Sequence, residues 1–141
     1  MRLDVSVNML TYQALEKKLI TVFGGKQFRP SIHIKDLSNL FIFLTKKKIP
    51  SGCYNAGFEN ISIIDIARKI KNLIPCKIKI LKSNDVRSYR LDSSKILKMG
   101  FKPNFGIETA MKEIIFNYTN KKFRAKDNNY TVKSMLKLKI D

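Results

Sequence analysis

The sequence predicts an α/β fold, and three observations carry that prediction. Apolar residues recur at three- and four-residue spacing in several segments, and between these lie short apolar runs or two-residue alternations, so helix and strand signals succeed one another along the chain. Neither an internal repeat nor a linker interrupts the alternation. The length of 141 residues is that of one domain, which on folding alone buries roughly 68–70% of its extended surface.

Leu3, Val7, Leu10 and Ala14 stripe one side of an opening amphipathic helix. Ile20 to Phe23 and Pro30 to Ile34 read as short strands flanking a Gly24-Gly25 turn; Pro30 lacks an N–H, which confines the second strand to an edge or to its first position. Leu37, Leu40, Phe41 and Leu44 stripe a helix whose first turn carries Asp36, where a carboxylate complements the helix dipole, and Pro50-Ser51-Gly52 breaks it. Cys53 to Gly57 reads as a short buried strand. Ser62-Ile63-Ile64-Asp65 is a helix-start signal resembling a capping box, with Ile66, Ile70 and Leu73 on the buried side. Ile78 and Ile80 alternate with lysines as a half-exposed strand. A short helix over Ser93 to Lys98, capped by Asp92 and Ser93, stops at Gly100, a position suited to a left-handed cap, with Pro103 beyond. Ile107, Ala110, Met111, Ile114, Ile115 and Tyr118 stripe the last clear helix. From Asn120 the pattern fades into a charged tail, 120–141, expected to lie on the surface.

Composition narrows the class. Six arginines among 28 basic residues leave 22 lysines, so the net charge of +17 is mainly a lysine charge. Clustered basic charge supplies salt-sensitive phosphate binding. Here the lysines are scattered apart from short runs such as Lys46–Lys48, and aromatic stacking platforms are not interleaved with them, which argues against nucleic acid. A coding sequence rich in A and T gives the same abundance of Lys, Ile and Asn with no selection for binding. No run approaches the ~18 apolar residues of a membrane span, and no signal-peptide core follows Met1, so a cytoplasmic location is expected. Cys53 and Cys76, with one His in the chain, make no zinc pattern and are expected as buried, reduced thiols.

The stretch Thr21 to Asp36, T-V-F-G-G-K-Q-F-R-P-S-I-H-I-K-D, carries the chemistry. An apolar strand, a Gly pair, one arginine and a second strand running into a helix suit a grip on an anion beside a flat ring. Arg29 is a bidentate fork, unlike the surrounding point-charge lysines, and Arg87 is a second such fork that can close on an anion from the other side. The bland alternatives are an Arg29–Asp36 surface ion pair and an Arg87–Asp85 pair. His33 invites a triad with Ser31 and Asp36; Ser31 and His33 share a strand face, but Asp36 lies past the strand end and is better placed to cap the following helix, so a supporting role is expected.

Taken in order, R-x-D-x-x-x-N, V-F-G-G-x-Q-x-R-P-x-I-H-I-x-D, Y-N-A-G, D-x-R-S-Y-x-x-D-x-S-K-I and G-F-x-P resemble the C-terminal half of the NAD-dependent sugar-nucleotide epimerases and dehydratases of the extended short-chain dehydrogenase/reductase family. The resemblance runs from Arg2 to about Tyr118. It implies the C-terminal part of a Rossmann-type enzyme: residues 1–119 as mostly the small α/β substrate-binding domain, with one strand–helix unit, 36–57, returning to the parallel dinucleotide-binding sheet. It implies Arg29 and Arg87 on the substrate diphosphate, Asn8 as an amide donor to it, Val22 and Phe23 flanking the base, Tyr89 as a substrate contact, and His33 and Asp36 as support for the arginine strand. Asn8 is equally suited to a local hydrogen bond.

In this family the other half holds the Gly-rich phosphate loop and the Tyr-x-x-x-Lys pair. Neither occurs in the matched region. The resemblance therefore implies NAD or NADP for the complete enzyme and none for this chain alone, no catalytic residue and no metal ligand here, and a nucleotide sugar as partner. It also implies that the chain pairs with a separately encoded N-terminal half, or is a fragment or remnant, because an unpaired strand near Tyr54 invites a partner; the complete enzyme is expected as a homodimer. The alternatives are a stand-alone nucleotide-binding or regulatory module and, less favoured, a basic nucleic-acid-binding protein.

Overall fold

The computed structural model describes residues 1–85 and 87–138. Helix α1, Ser6–Lys17, is closed by Lys18, whose left-handed φ of 51° turns the chain directly into strand β1, Leu19–Phe23. Ile20 and Val22 point inward and are fully buried. Gly24 and Gly25 then reverse the chain with φ of 74° and 108°; a Cβ on Gly25 would stand 3.2 Å from that of Ile64, so the turn needs glycine for both its backbone and its neighbour. Strand β2, Phe28–Ser31, follows, and helix α2, Ile34–Lys46, begins where the second strand was expected to continue.

The strand expected at Cys53–Gly57 is absent. Its backbone is satisfied by side chains instead: Gly57 N–H donates to Ser93 Oγ at 3.0 Å, the same hydroxyl donates to the Gly57 carbonyl at 3.1 Å, and Lys95 Nζ donates to the Cys53 carbonyl at 3.2 Å. Strand β3 lies further on, at Glu59–Ser62, and pairs antiparallel with β2 in the register Arg29 with Ile61. Ser62 ends it and caps helix α3, Ile63–Leu73, its hydroxyl accepting from Asp65 N–H at 3.2 Å as the start signal predicts. Strand β4, Lys77–Leu81, runs parallel to β1. Helices α4, Ser94–Lys98, and α5, Ile107–Thr119, complete the predicted set. Gly100 adopts φ 99°, as its place after α4 predicts. Asp92 accepts from Ser94 N–H at 2.8 Å, but Ser93 is spent on Gly57 and does not cap α4.

Beyond Asn120 the chain holds a 3₁₀ turn, Asp127–Asn129, and helix α6, Thr131–Leu138, where only a charged tail was expected. Cys53 is exposed and Cys76 half-buried, both unpaired, so the expectation of two buried thiols fails for Cys53.

Two apolar clusters organise the interior. The larger joins α1, α3, α5 and β1 through Leu10, Ala14, Ile20, Ile66, Ile70 and Met111. The smaller joins α2, α4 and the following loop through Leu40, Ile96 and Phe101, with Phe58 stacked on the Phe101 ring and Phe43 edge-on to it. Among the described residues no helix is long and apolar enough to cross a membrane.

Candidate functional site

A cleft of roughly 950 Å³ opens between the start of α1, strand β2 and helix α5. Arg29, on β2, lines it with Tyr89, Asn8, His33, Asn117 and Lys122. The sheet pairing of β2 with β3 fixes the Arg29 backbone, and the loop after β4 fixes its side chain. Phe28 N–H donates to Ser88 Oγ at 3.0 Å, anchoring that loop to β2. Arg29 Nη1 donates to the Phe28 and Arg87 carbonyls at 2.8 and 2.6 Å, Nη2 lies 3.2 Å from Asp85 Oδ2, and the guanidinium sits 5.2 Å over the Tyr89 ring. Its side chain is 18% exposed. Of the five guanidinium N–H donors, Nε–H and one on Nη2 make no bond among the described residues, which leaves the fork partly free for an anion.

Asp85 serves two arginines. Arg87 grips it through Nε at 2.7 Å and Nη2 at 2.9 Å, and this pairing, helped by the Arg87 N–H, holds the Asp85 carboxyl down to about 2. Arg87 thus does what its bland alternative predicts: its side chain is 77% exposed, turned back onto Asp85 and outside the cleft lining. Its contribution to Arg29 is a backbone carbonyl.

Asn8 reaches the cleft edge, where Nδ2 donates to the Arg2 carbonyl at 2.8 Å, the local bond its alternative reading predicts. Val22 is fully buried in the larger cluster and Phe23 is exposed at the end of β1; neither lines the cleft.

The supporting residues differ from expectation. Asp36 forms no pair with Arg29 and caps no turn of its own helix. It is fully buried and accepts from Asn104 N–H at 3.0 Å and Phe105 N–H at 2.9 Å, tying α2 to the loop before α5. His33 is the residue that caps α2, its Nδ1 accepting from Lys35 N–H at 3.2 Å. Its Nε2 lies 3.4 Å from Glu113 Oε2, and Lys35 Nζ bonds the same carboxylate. That lysine hydrogen bond, more than His33, lowers the Glu113 carboxyl below the usual range. With Nδ1 committed to a backbone donor and Asp36 facing elsewhere, His33 belongs to no triad.

Glu113, Asn117 and Lys122 went unmarked in the sequence because α5 shows there only a helical stripe and a charged end. Tyr118 and Lys122 have Tyr-x-x-x-Lys spacing astride the end of the matched region. The helix ends at Thr119, so the two do not share a helical face, and Tyr118 packs edge-on to Tyr12 rather than lining the cleft. The Gly24-Gly25 pair leads from strand to strand, not from strand into helix, so it does not form a dinucleotide-phosphate turn. No group of acidic, His and Cys side chains suited to a metal occurs among the described residues.

No protein-family model matches the sequence. Solved structures match the fold. UDP-glucuronic acid 4-epimerase from Bacillus cereus, in complex with UDP-glucuronic acid and NAD, is 26% identical with a TM-score of 0.68 over 87% of this chain and 42% of that one. dTDP-glucose 4,6-dehydratase from Bacillus anthracis, in complex with NAD, is 18% identical with a TM-score of 0.72 over 87% of this chain and 42% of that one. ADP-L-glycero-D-manno-heptose-6-epimerase from Helicobacter pylori is 23% identical with a TM-score of 0.67 over 80% and 37%. The chain spans about two fifths of the length of the structures it matches. The ordered motifs and the match in three dimensions converge: this mixed α/β chain has the fold of part of a Rossmann-type NAD-dependent epimerase/dehydratase of the extended short-chain dehydrogenase/reductase kind.

Proposed function

We propose that this chain is the nucleotide-sugar-binding portion of an NAD-dependent sugar epimerase or dehydratase, inactive alone. The observation that carries the reading is Arg29, held at a cleft wall with part of its fork unspent and a tyrosine ring beneath it. A nucleotide sugar keeps both phosphates while its sugar reacts, so a rigid grip on the diphosphate positions the reacting end. Arg29 and Asn8 are the diphosphate contacts in this proposal and Tyr89 the aromatic neighbour. Arg87, Val22 and Phe23 act at one remove, by orienting Arg29 and by shaping β1.

NAD or NADP serves the complete enzyme and binds the half that this chain lacks. That half, encoded separately or as part of a longer protein, covers the apolar face of α2, where Ile34, Phe41 and Ile42 stand exposed. The completed enzyme is a cytoplasmic homodimer in this reading.

Isothermal titration of the chain with UDP-glucuronic acid and dTDP-glucose tests it. Charge-assisted bonds of this kind contribute about 1.5–3 kcal/mol, so Arg29→Ala is expected to weaken binding roughly tenfold to a hundredfold, with circular dichroism showing the fold intact. Equal affinity of the variant and the parent chain would remove Arg29 from the site.

A further inference from the structure

One wall of the cleft comes from the segment after α5. The chain reverses at Lys121, φ 56°, a left-handed backbone at the position where glycine is usual. Lys121 N–H donates to the Tyr118 carbonyl at 3.0 Å and Lys122 N–H to the Asn117 carbonyl at 2.9 Å, the paired bonds of a helix-terminating Schellman turn. The segment beyond is then pinned to the other end of the chain. Phe123 sets its ring edge-on to Tyr12 at 5.8 Å, and Ala125 N–H donates to Tyr12 Oη at 3.2 Å. Leu3 N–H donates to the Asn129 carbonyl at 2.7 Å, and Thr131 N–H to Asp4 Oδ2 at 3.0 Å. Lys122 and Phe123 enter the cleft lining as a result.

The cleft's charges single out Lys122. Arg2 is held by Asp4 at 2.9 Å, Arg29 shares Asp85, and the Glu113 carboxylate is occupied by Lys35 and His33. Among the described residues Lys122 pairs with no carboxylate; its ammonium lies 5.3 Å from the Phe116 ring centroid. A diphosphate carries more negative charge than one partly neutralised arginine answers. A lysine ammonium, a point charge on a flexible stem, follows a phosphate oxygen without demanding a fixed plane.

We propose that Lys122 is the second phosphate-binding cation of this cleft, placed there by the Lys121 turn and the docking of residues 123–131 on Tyr12 of α1 and on Leu3 and Asp4 before it, and that its ligand is a nucleoside diphosphate. The proposal rests on the nucleotide-sugar reading above. The test is calorimetric titration of the full chain, and of Lys122→Ala and Lys122→Arg, with UDP and with inorganic pyrophosphate, each variant first checked by thermal melting. The expected result is an affinity loss of about tenfold for both ligands in Lys122→Ala, with most of it restored in Lys122→Arg. Parent and Lys122→Ala binding UDP equally well would overturn the role of Lys122 and leave the nucleotide-sugar reading standing. A loss of pyrophosphate binding in Lys122→Ala, with no preference of the parent chain for UDP over pyrophosphate, would uphold the anion site and remove its nucleotide. Absence of binding to either ligand would overturn both.

Discussion

Helices α2 and α3 are similar in length and both amphipathic, yet they end differently. Helix α3 buries Ile66, Ala67 and Ile70 completely, and α1, α5 and β1 close over them. Helix α2 buries only Asp36 and Leu40, and it carries Ile34, Phe41 and Ile42, seven and eight residues apart and so on one side, into the open. A hydrophobic stripe in a sequence says which face of a helix is apolar; it does not say whether the same polypeptide covers it. The α3 side is a finished core, whereas the α2 side is finished only where Leu40, Ile96 and Phe101 meet.

The sharpest way to break this contrast is to truncate one residue from each side. Ile70→Ala leaves a cavity in the larger cluster and is expected to cost about 3–4 kcal/mol in urea unfolding. Phe41→Ser removes an exposed ring and is expected to change stability by no more than about 0.5 kcal/mol. Comparable losses at the two positions would mean that the α2 face is covered in solution, and sedimentation would then show self-association.

A somewhat smaller effect is expected at the joint between the regions. Asp36→Ala strips the acceptor from Asn104 and Phe105 N–H, with an expected cost of about 2–3 kcal/mol. Asp36→Asn keeps an amide oxygen and is expected to lose less. Equal losses would show that the charge, and not the acceptor geometry, holds the joint.

The smallest effect concerns the exposed loop around Asp85. Its folded carboxyl titrates near 2 because Arg87 stabilises the anion, below the ~3.9 of an unfolded Asp. The contribution is therefore complete above the unfolded value and disappears as pH falls through the folded one. The Arg87 and Tyr89 amide signals are expected to hold their positions from pH 7 to about 4 and to shift as pH falls further toward 2. A midpoint near 4 would show that Arg87 does not hold Asp85 in solution.

Much of this fold is readable from local pattern. The Ser62 start signal, the left-handed Gly100, the strands at Ile20–Phe23 and around Ile78, and the stripes of α1, α3 and α5 all express local chemistry. Strand β3 escapes because Glu-Asn-Ile-Ser has no apolar alternation; its pairing with β2 makes it a strand. Cys53–Gly57 misleads for the opposite reason, since its apolar residues look like a strand while Ser93 and Lys95, far along the chain, take its backbone groups. The site divides the same way. Arg29, Asn8 and Tyr89 stand in motifs and reach the cleft. Glu113, Asn117 and Lys122 stand in none, and they reach the cleft through α5 and the turn at its end.

That helix end is also positioned from its opposite terminus. Gly106 precedes α5 and offers no side chain, so Glu59 Oε1 on β3 takes the Ile107 N–H at 2.6 Å, while Asp36 on α2 holds the two amides just before it. Two carboxylates from separate elements thus clamp one end of a 13-residue rod about 20 Å long. On that rod a tilt of roughly three degrees displaces the far end by about 1 Å, and the far end carries Asn117 and the turn to Lys122. The clamp thus works with the packing of α5 on α1 and α3, and a substitution at Glu59 or Asp36, neither of which borders the opening, would reach the cleft as a change of angle.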